Sequence, residues 1–449
     1  MQPLVSVVIP AYNAQSTLAE TLRSLLSQSL TDWQAIIVDD GSTDSTTTIA
    51  SDFAWRDSRI THRRQANRGP AAARNVGLDA ATGKYIHFLD ADDWLVSLGL
   101  ERLVQAAEWS GRGAACGDWS LHAGDGRSLG VTMSPPDQVV GLEHLLRGNV
   151  LAPHSHIVRR DLIGALRFEP SMPVAEDYQM WNTLAANGVL WSTVDEIVAG
   201  YRIRPGSISK FPGRMLENVC RVFRRLHTGD SYAAAIRETA LLYTAMSAIT
   251  DRSPGFLNSH TMLRNALPGP AAFTAEELAT AAYWALLFRF GIGPNQYAGT
   301  ASRWMPRLTA WWESLTGQPA GHEVFEALAL LAVSSENVAE AMLDRVSGDG
   351  PIVLAGAMGR NGRALRRIAN ARGIPLDLRD DRLPRAGLER LIDANSTILV
   401  APTDDEPILA KLPRGVRIRR WNVTQRTLSG QIRDTLLAAH DQYVPAIGA

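Results

Sequence analysis

The sequence predicts an α/β fold with a mixed, mostly parallel sheet in the first part of the chain, then a helical region and a small C-terminal α/β domain. Short β-branched runs alternate with amphipathic helical patterns up to about Ile203, and helical periodicity dominates from about Met215 to Val346. A new strand, glycine turn, helix and strand pattern starts at Ile352. Because 449 residues are too many for one ordinary core, we expect domains at 1–214, 215–347 and 348–449.

The first elements form a βαβ pattern. Val5–Pro10 is a β-branched run ended by proline, which is typical of a buried parallel strand. Thr17–Glu20 fits a capping box ahead of an amphipathic helix. A second strand, Ala35–Val38, ends in Asp39 and Asp40. Ligands of such units bind beyond the carboxyl ends of the strands, so we expect functional residues there.

The pattern continues with a weaker strand at Arg59–His62 and a helix opened by Pro70. An apolar, strand-like run then starts at Tyr85 and reaches Asp93. Because each strand delivers polar residues to the same edge of one sheet, Pro10, Asp40 and Asp92 should lie side by side.

Three carboxylates, Asp90, Asp92 and Asp93, occupy four consecutive positions after this run. Full ionisation of such a cluster is costly unless a cation or a shared proton offsets the repulsion. Oxygen ligands suit Mg²⁺ or Mn²⁺, which take their remaining ligands from water and substrate phosphates. The alternative is a solvated acidic turn that caps the next helix.

The rest of the first domain is predicted from shorter signals. Glu176 and Asp177 open a helix that is predicted to end at a C-cap, Asn187–Gly188. Residues 124–137 favour a loop or hairpin. The remaining predicted strands are Ala114–Trp119, Val150–Val158, Val189–Thr193 and Ile197–Ile203, and the domain should close near Ser209.

The C-terminal part begins with Ile352–Gly356 and continues with Gly359, Gly362 and a helix through Ala371. The strand Ile374–Leu378 and the acids Asp380–Asp381 follow, with further strands at Thr397–Val400 and Val416–Arg420. This is the outline of a nucleotide-binding half, but the glycine spacing is GxxGxxG rather than GxGxxG. Such turns also serve simple helix–strand packing, so we expect no catalytic cofactor there.

Composition and local sequence patterns indicate which partners and which cellular location to expect. The formal net charge is −1, so nothing indicates a nucleic-acid partner. The segment Leu278–Ile292 is short and contains Arg289, which favours a buried or interfacial helix over a membrane span. The N-terminus shows no signal-peptide pattern. We therefore expect a cytoplasmic protein without a transmembrane segment, compatible with peripheral association at the inner face of the membrane.

Four ordered motifs in the first half of the chain closely resemble those of the family 2 glycosyltransferases. The resemblance implies a GT-A fold, inversion at the anomeric carbon, a nucleotide-sugar donor and a divalent metal, Mn²⁺ or Mg²⁺. The matching segments are Ser6–Asn13, Val38–Asp44, Asn67–Asn75 and Phe88–Asp93.

The resemblance also implies donor-side roles. Asp40 is similar to the carboxylate that accepts a hydrogen bond from a nucleobase such as uracil. Asp40 could instead cap a helix, but Asp39 is the better candidate for that structural role. Arg68 and Arg74 would meet the diphosphate, unless they are surface residues at a helix start. Asp92 would hold the metal with Asp90 or Asp93. The implied donor-binding set is Pro10, Tyr12, Asn13, Asp40, Arg68, Arg74, Asp90, Ala91 and Asp92.

Asp177 matches the family position of the general base that deprotonates the acceptor hydroxyl, although it could instead cap its helix. Glu176, Arg202 and Arg204 are acceptor or phosphate contacts by the same resemblance. Arg204 stands where a histidine often occurs in the family, and arginine can bind phosphate but cannot ligate a metal. His154 should share one strand face with His156 as packing or acceptor-cleft residues.

The predicted function is metal-dependent, inverting transfer of a sugar to a hydroxyl of a carbohydrate or lipid-linked acceptor in cell-surface polysaccharide or glycoconjugate synthesis. UDP is the expected nucleotide of the donor. One alternative is a non-catalytic sugar-nucleotide-binding or scaffold protein. Another is a sugar-phosphate nucleotidyltransferase. The latter usually has a glycine-rich, basic loop after its first strand, where this chain has Pro10–Ala14.

Overall fold

The structure, a computed structural model, divides into two compact units. One unit comprises Met1–Ser128 and Met133–Ala271, and the other comprises Leu129–Thr132 and Ala272–Ala449. The described residues are 2–135, 137–146, 148–204, 212–226, 240–246, 248, 273–290, 297–316, 321–332 and 342–344, with short segments and single residues between 352 and 436. The boundaries at 214 and 347 stay predictions.

The first 226 residues contain both strands and helices. The strands are β1 (Val5–Ala11), β2 (Trp33–Asp39), β3 (Ile60–Arg64), β4 (Tyr85–Phe88), β5 (Trp94–Leu95), β6 (Ala114–Ala123), β7 (Ser128–Met133), β8 (Val139–Val140), β9 (His156–Arg159) and β10 (Trp191–Ile203). The helices are α1 (Leu18–Leu26), α2 (Thr46–Arg56), α3 (Pro70–Ala80), α4 (Gly99–Trp109), α5 (Leu142–Leu145), α6 (Arg160–Ile163), α7 (Glu176–Ala186) and α8 (Pro212–Leu226).

The sheet of the first unit follows the order β3-β2-β1-β4-β9-β6-β10-β5. Strands β1 to β4 pair in parallel, β9 runs antiparallel to both its neighbours, and β10 runs parallel to β6 and antiparallel to β5. In β1, Val5, Val7, Val8 and Ile9 are fully buried, which explains the continuous apolar run. The prediction of a mixed, mostly parallel sheet is confirmed.

Three predicted strands have different bounds. The run from Tyr85 leaves the sheet after Phe88, so the acidic cluster lies in a turn beyond the strand. The prediction of two strands at 189–193 and 197–203 is wrong, because one strand, β10, continues through register shifts between Val194 and Ala199.

The predicted strand Val150–Val158 is also mostly wrong. Only His156–Arg159 pairs in the sheet, because Pro153 opens a 3₁₀ turn over Pro153–Ser155. His154 and His156 therefore do not alternate along one strand. By contrast, the helix opened by Glu176 and ended at Asn187 is confirmed, with Gly188 in the left-handed region at φ 88°.

The second unit contains α9 (Ala275–Phe290), α10 (Tyr297–Thr316) and α11 (His322–Ala332). Large apolar side chains are buried among them, including Trp304, Trp311 and Phe325, as the helical periodicity predicts. Among the described helices, none combines the length and the apolar composition that a membrane span requires.

A separate four-stranded sheet lies further along the second unit. Its strands are β11 (Ile352–Ala355), β12 (Asp377–Arg379), β13 (Thr397–Val400) and β14 (Arg417–Arg420). They pair in parallel in the order β12-β11-β13-β14. The structure therefore contains a parallel sheet in the region where the sequence predicts a small C-terminal α/β domain. The turn with Gly356, Gly359 and Gly362, the end of the helix at Ala371, and Asp380–Asp381 lie outside the described residues.

Helix α3 packs very closely on β1 because Gly77 has no side chain. A Cβ at this position would lie 2.3 Å from Val8 Cγ1 in the core of the sheet. The close approach holds the N-terminal half of α3, which contains Arg74, near the carboxyl edge of the strands.

Gly77→Ala should destabilise the protein by about 1–3 kcal/mol because of overpacking, although alanine is the better helix former by about 1 kcal/mol. The thermal unfolding midpoint should fall by about 2–4 °C for each kcal/mol. Gly148→Ala is the control, since nothing lies within 4 Å of a Cβ there. A Gly77→Ala protein as stable as the wild type would contradict this close packing.

Candidate active site

The carboxyl ends of β1, β2 and β4 meet at one edge of the sheet. Ala11 is in register with Asp39, and the Asp40 amide donates to the Ala11 carbonyl at 2.8 Å. The Leu89 amide, just after β4, donates to the Val8 carbonyl at 3.0 Å. The edge therefore brings the ends of these strands together, as the βαβ pattern predicts.

Asp39 and Asp40 have different surroundings. Asp39 is fully buried and accepts hydrogen bonds from the Ser42 amide and the Thr47 hydroxyl. Burial raises the pKa of Asp39, but these hydrogen bonds and the charge of Arg64 outweigh it and hold the pKa below its ordinary value. Asp39 thus has a structural role, in agreement with the sequence interpretation.

Asp40 holds the loop that leads into α3. Its Oδ1 accepts from Gln65 Nε2 at 2.7 Å and from the Arg68 amide at 2.9 Å, and its Oδ2 accepts from the Gly69 amide at 2.8 Å. A carboxylate has about four acceptor positions, so these three donors leave one position of the buried Asp40 without a protein donor. The nucleobase role of Asp40 stays a prediction, and Gln65 is a member of the site that the sequence did not reveal.

The loop after β1 is tied to the loop after β2. The Asn13 amide donates to the Ser42 hydroxyl at 3.0 Å, and Asn13 Oδ1 accepts from the Thr43 amide at 2.9 Å. Asn13 adopts a left-handed φ of 47°, which asparagine tolerates better than most residues. The Tyr12 side chain next to it is exposed. These contacts place the predicted donor-binding residues Tyr12 and Asn13 at the carboxyl edge.

Arg74 bridges two carboxylates from different parts of the chain. Its Nη2 lies 2.7 Å from Asp90 Oδ1, and its Nη1 donates to Glu176 Oε1. Burial lowers the pKa of Arg74, but Asp90, Glu176 and Asp177 outweigh it and raise the pKa, so the guanidinium stays charged. Arg74 therefore joins the acidic turn to the start of α7. Its predicted diphosphate contact would have to share the guanidinium with these carboxylates.

The acidic turn is held by side chains that bind its backbone carbonyls. Thr17 Oγ1 donates to the Ala91 carbonyl at 2.8 Å, and Thr21 Oγ1 donates to the Asp93 carbonyl at 2.8 Å. The predicted capping box is therefore wrong, because the Thr17 hydroxyl makes no cap bond and Glu20 pairs elsewhere. Helix α1 begins at Leu18 as expected, but its threonines support the turn.

The three carboxylates of the turn have three different partners. Asp90 contacts Arg74, Asp92 Oδ2 lies 2.6 Å from Arg204 Nη2, and Asp93 Oδ2 lies 2.8 Å from His154 Nδ1. Asp93 is also buried and accepts from the Arg202 amide. Asp93 is thus turned into the protein, so Asp90 and Asp92 are the partly exposed carboxylates of the predicted metal set.

Arg202 has a structural role that the sequence did not predict. Its Nε donates to the Asp92 carbonyl at 3.0 Å, and its Nη2 lies 2.6 Å from Glu20 Oε2. Its Nη1 donates to the Gly124 carbonyl, and the guanidinium lies over the Trp94 ring. An acceptor or phosphate contact by Arg202 stays a prediction and would require breaking this network.

By contrast, the Arg68 side chain is exposed and has no hydrogen bond or ion pair with the described residues.

Asp177 lies at the start of α7, directly after Glu176. Burial raises the pKa of Asp177 above its ordinary value, while Arg74 opposes the rise. Burial likewise raises the pKa of Glu176. Ala175, which precedes the helix, has a left-handed φ of 60°, an arrangement that costs about 1–3 kcal/mol for a residue other than glycine. Asp177 is therefore presented by a strained backbone, and a raised pKa makes it a stronger base.

The sheet, its acidic turn and the carboxylates that open α7 have the arrangement of a GT-A glycosyltransferase domain, which confirms the fold implied by the resemblance. The family model described as glycosyl transferase family 2 matches residues 6–163.

Curated relatives agree with the family match. TuaG of Bacillus subtilis, a provisionally assigned teichuronic acid biosynthesis glycosyltransferase, is 31% identical over 230 residues, which cover 50% of this chain and 90% of TuaG. The UDP-Glc:alpha-D-GlcNAc-diphosphoundecaprenol beta-1,3-glucosyltransferase WfaP of Escherichia coli is 32% identical over 46% of this chain and 80% of WfaP. The uncharacterised glycosyltransferase EpsJ of Bacillus subtilis is 32% identical, with 64% of its own length covered. The chain belongs to glycosyltransferase family 2.

Among solved structures, S. aureus TarS 1-349 in complex with UDP is 20% identical, with a TM-score of 0.43 over 70% of this chain and 92% of that chain.

Arg74→Met should destabilise the protein by about 3 kcal/mol, because it leaves the buried Glu176 and the partly buried Asp90 without their cation. Arg56→Met is the matched control, since it removes an ion pair between two exposed side chains, 67% and 45% accessible, with an expected effect of at most about 1 kcal/mol. Thermal unfolding of both variants measures the difference. Equal midpoints for the two variants would show that the Arg74 bridge does not stabilise the fold.

Proposed function

We propose that this protein is a metal-dependent, inverting glycosyltransferase that moves a sugar from a nucleoside diphosphate, with UDP as the expected nucleotide, to an acceptor hydroxyl. The observation that carries the proposal is the double ion pair of Arg74. It brings Asp90, on the donor side, and Glu176, next to the expected base Asp177, into one site. Family membership supplies the reaction class.

The donor nucleotide is proposed to bind across the carboxyl edge of β1 and β2. The exposed Tyr12 ring offers a surface for the base, and the remaining acceptor position of Asp40 offers a hydrogen bond to a base N–H. Pro10 and Asn13 shape the loop beneath. The exposed Arg68 is free to turn to the diphosphate, where charge-assisted hydrogen bonds are strong.

The residues of the turn fit a divalent cation. Asp90 and Asp92 would supply oxygen ligands. Burial together with the neighbouring carboxylates raises the pKa of Asp92, although the charge of Arg204 opposes the rise. No set of three or more His, Cys, Asp or Glu within the described ranges could hold a metal alone. Donor phosphates and water would therefore complete the coordination. When bound, the cation neutralises charge on the departing nucleoside diphosphate.

Asp177 is the proposed general base. It takes the proton of the acceptor hydroxyl while the acceptor oxygen forms its bond to the anomeric carbon and the bond from that carbon to the diphosphate oxygen breaks. Attack from the side opposite the leaving group inverts the anomeric centre. Glu176 and Arg74 hold the start of α7 in place, so they position the base.

The acceptor is proposed to be a carbohydrate or lipid-linked hydroxyl in cell-surface polysaccharide synthesis. The names of TuaG and WfaP support this assignment, since they refer to teichuronic acid biosynthesis and to a diphosphoundecaprenol-linked sugar. A cytoplasmic site with peripheral contact to the membrane would suit such an acceptor.

Asp177→Asn should lower sugar transfer by about 10²–10⁴-fold, because the positioned base is lost, while UDP binding stays nearly unchanged. Transfer is measured with a panel of nucleotide sugars as release of nucleoside diphosphate, and UDP binding by calorimetry. Asp52→Asn, on the exposed surface of α2, is the control for loss of a carboxylate. If the wild type binds UDP but does not turn over any nucleotide sugar, the alternative of a non-catalytic binding protein is favoured. If Asp177→Asn keeps full activity, Asp177 is not the general base.

A chelator should abolish turnover, and excess Mn²⁺ or Mg²⁺ should restore it, because the two carboxylates cannot neutralise the leaving diphosphate. Asp92→Asn should require a higher Mn²⁺ concentration for half-maximal activity, whereas Asp52→Asn should not. The measurement is the initial rate against Mn²⁺ concentration after chelation and dialysis. Turnover that is insensitive both to the chelator and to Asp92→Asn would contradict a metal role.

A further inference from the structure

Two arginines near the end of β10 contact the same acidic turn in different ways. Arg202 uses three side-chain nitrogens, bound to Glu20, the Asp92 carbonyl and the Gly124 carbonyl, and its side chain is only 5% exposed. Arg204 contacts the turn through its Nη2, 2.6 Å from Asp92 Oδ2, and its side chain is 33% exposed. Arg202 is therefore fixed, whereas among the described residues Arg204 is held by a releasable ion pair with Asp92.

The buried Nε of Arg204 points to the same conclusion. Within the described part of the chain this N–H has no hydrogen-bond partner. A guanidinium with an unpaired N–H beside an acidic turn can gain contacts from an incoming ligand with several acceptor oxygens. A diphosphate is such a ligand, and arginine binds it with two parallel hydrogen bonds.

Asp92 is the carboxylate of the turn that Arg204 contacts. The backbone of the turn is fixed through the carbonyls of Ala91, Asp92 and Asp93, which accept from Thr17, Arg202 and Thr21. The turn therefore does not need the Arg204 pair to keep its shape. What Arg204 supplies is positive charge at Asp92 Oδ2.

We propose that Arg204 is a built-in counter-cation that occupies Asp92 when no donor is bound and moves to the donor diphosphate when the metal and the nucleotide bind together. This inference rests on the metal site of the proposed function and adds a regulation of that site. It gives Arg204 a positioning role in donor binding.

The proposal makes metal and nucleotide binding interdependent. A metal that arrives alone must displace Arg204 from Asp92, whereas a metal that arrives with a diphosphate leaves Arg204 with a new partner. Each ligand therefore raises the affinity for the other, and this coupling is reciprocal. Removing Arg204 should favour the metal alone and weaken the nucleotide.

The test is a titration of full-length protein with Mn²⁺ alone and with Mn²⁺ plus UDP, following free Mn²⁺ by electron paramagnetic resonance and UDP by calorimetry. Compared with the wild type, Arg204→Met should bind Mn²⁺ alone about tenfold more tightly and UDP in the presence of Mn²⁺ about tenfold more weakly, within the usual range of coupling between ligands. Circular dichroism and a thermal melt confirm that the variant is folded.

Two control variants distinguish the proposal from general charge effects. Arg204→Lys keeps a cation beside Asp92 and should restore the wild-type affinity for Mn²⁺ alone, but its point charge should not fully restore UDP binding. Arg56→Met removes an arginine from an exposed pair in α2 and should change neither affinity.

The outcomes separate the two proposals. If Arg204→Met leaves both affinities unchanged, or if Arg204→Lys fails to restore Mn²⁺ binding, the counter-cation role is overturned while the metal site stands. If the wild type binds no Mn²⁺ even with UDP, or if Asp92→Asn binds it equally well, the metal site of the proposed function is overturned and the counter-cation role with it.

Discussion

The constraint on which the site depends is the repulsion among Asp90, Asp92 and Asp93. Three carboxylates in four positions cannot all ionise at low cost in a partly buried turn. The structure satisfies them separately, with Arg74 for Asp90, Arg204 for Asp92 and His154 for Asp93. Because these partners come from α3, the end of β10 and the 3₁₀ turn before β9, one short acidic segment organises three distant parts of the chain. The turn is as much a structural centre as a ligand site.

This arrangement also explains why α7 belongs to the same site. Arg74 contacts Asp90 on one side and Glu176 on the other, and it is held near the sheet edge because Gly77, one turn later, lies against Val8. A small residue in the core of α3 thus contributes to the placement of Asp177, which follows Glu176. The same charged bridge limits how far burial raises the pKa of Asp177. The Arg74 side chain thus links the packing of α3 on the sheet to the electrostatics of the site.

The fold of the first unit could be predicted largely from the sequence, because β-branched runs such as Val5–Pro10 and the proline at the start of α3 report local structure directly. Contacts between distant residues could not be predicted in this way. Thr17 and Glu20 fit a capping box by spacing, yet Thr17 binds the Ala91 carbonyl and Glu20 binds Arg202, 182 residues away. Only the sheet order, which places β10 beside β5 and β6, brings such partners together.

The contrast between Arg202 and Arg204 shows that the chemical role of a side chain also could not be predicted from the sequence. The two residues are separated by a single position and carry the same charge, so spacing cannot distinguish a structural arginine from one that can move. The distinction comes from the number of contacts and from exposure, 5% against 33%. A buried guanidinium with several acceptors loses too much solvation and hydrogen bonding to be displaced. A partly exposed guanidinium that is held by an ion pair, as Arg204 is by Asp92 among the described residues, can exchange its partner for another anion at little cost. Since the moving arginine and the fixed arginine both act on Asp92, the turn can stay rigid while its charge balance changes.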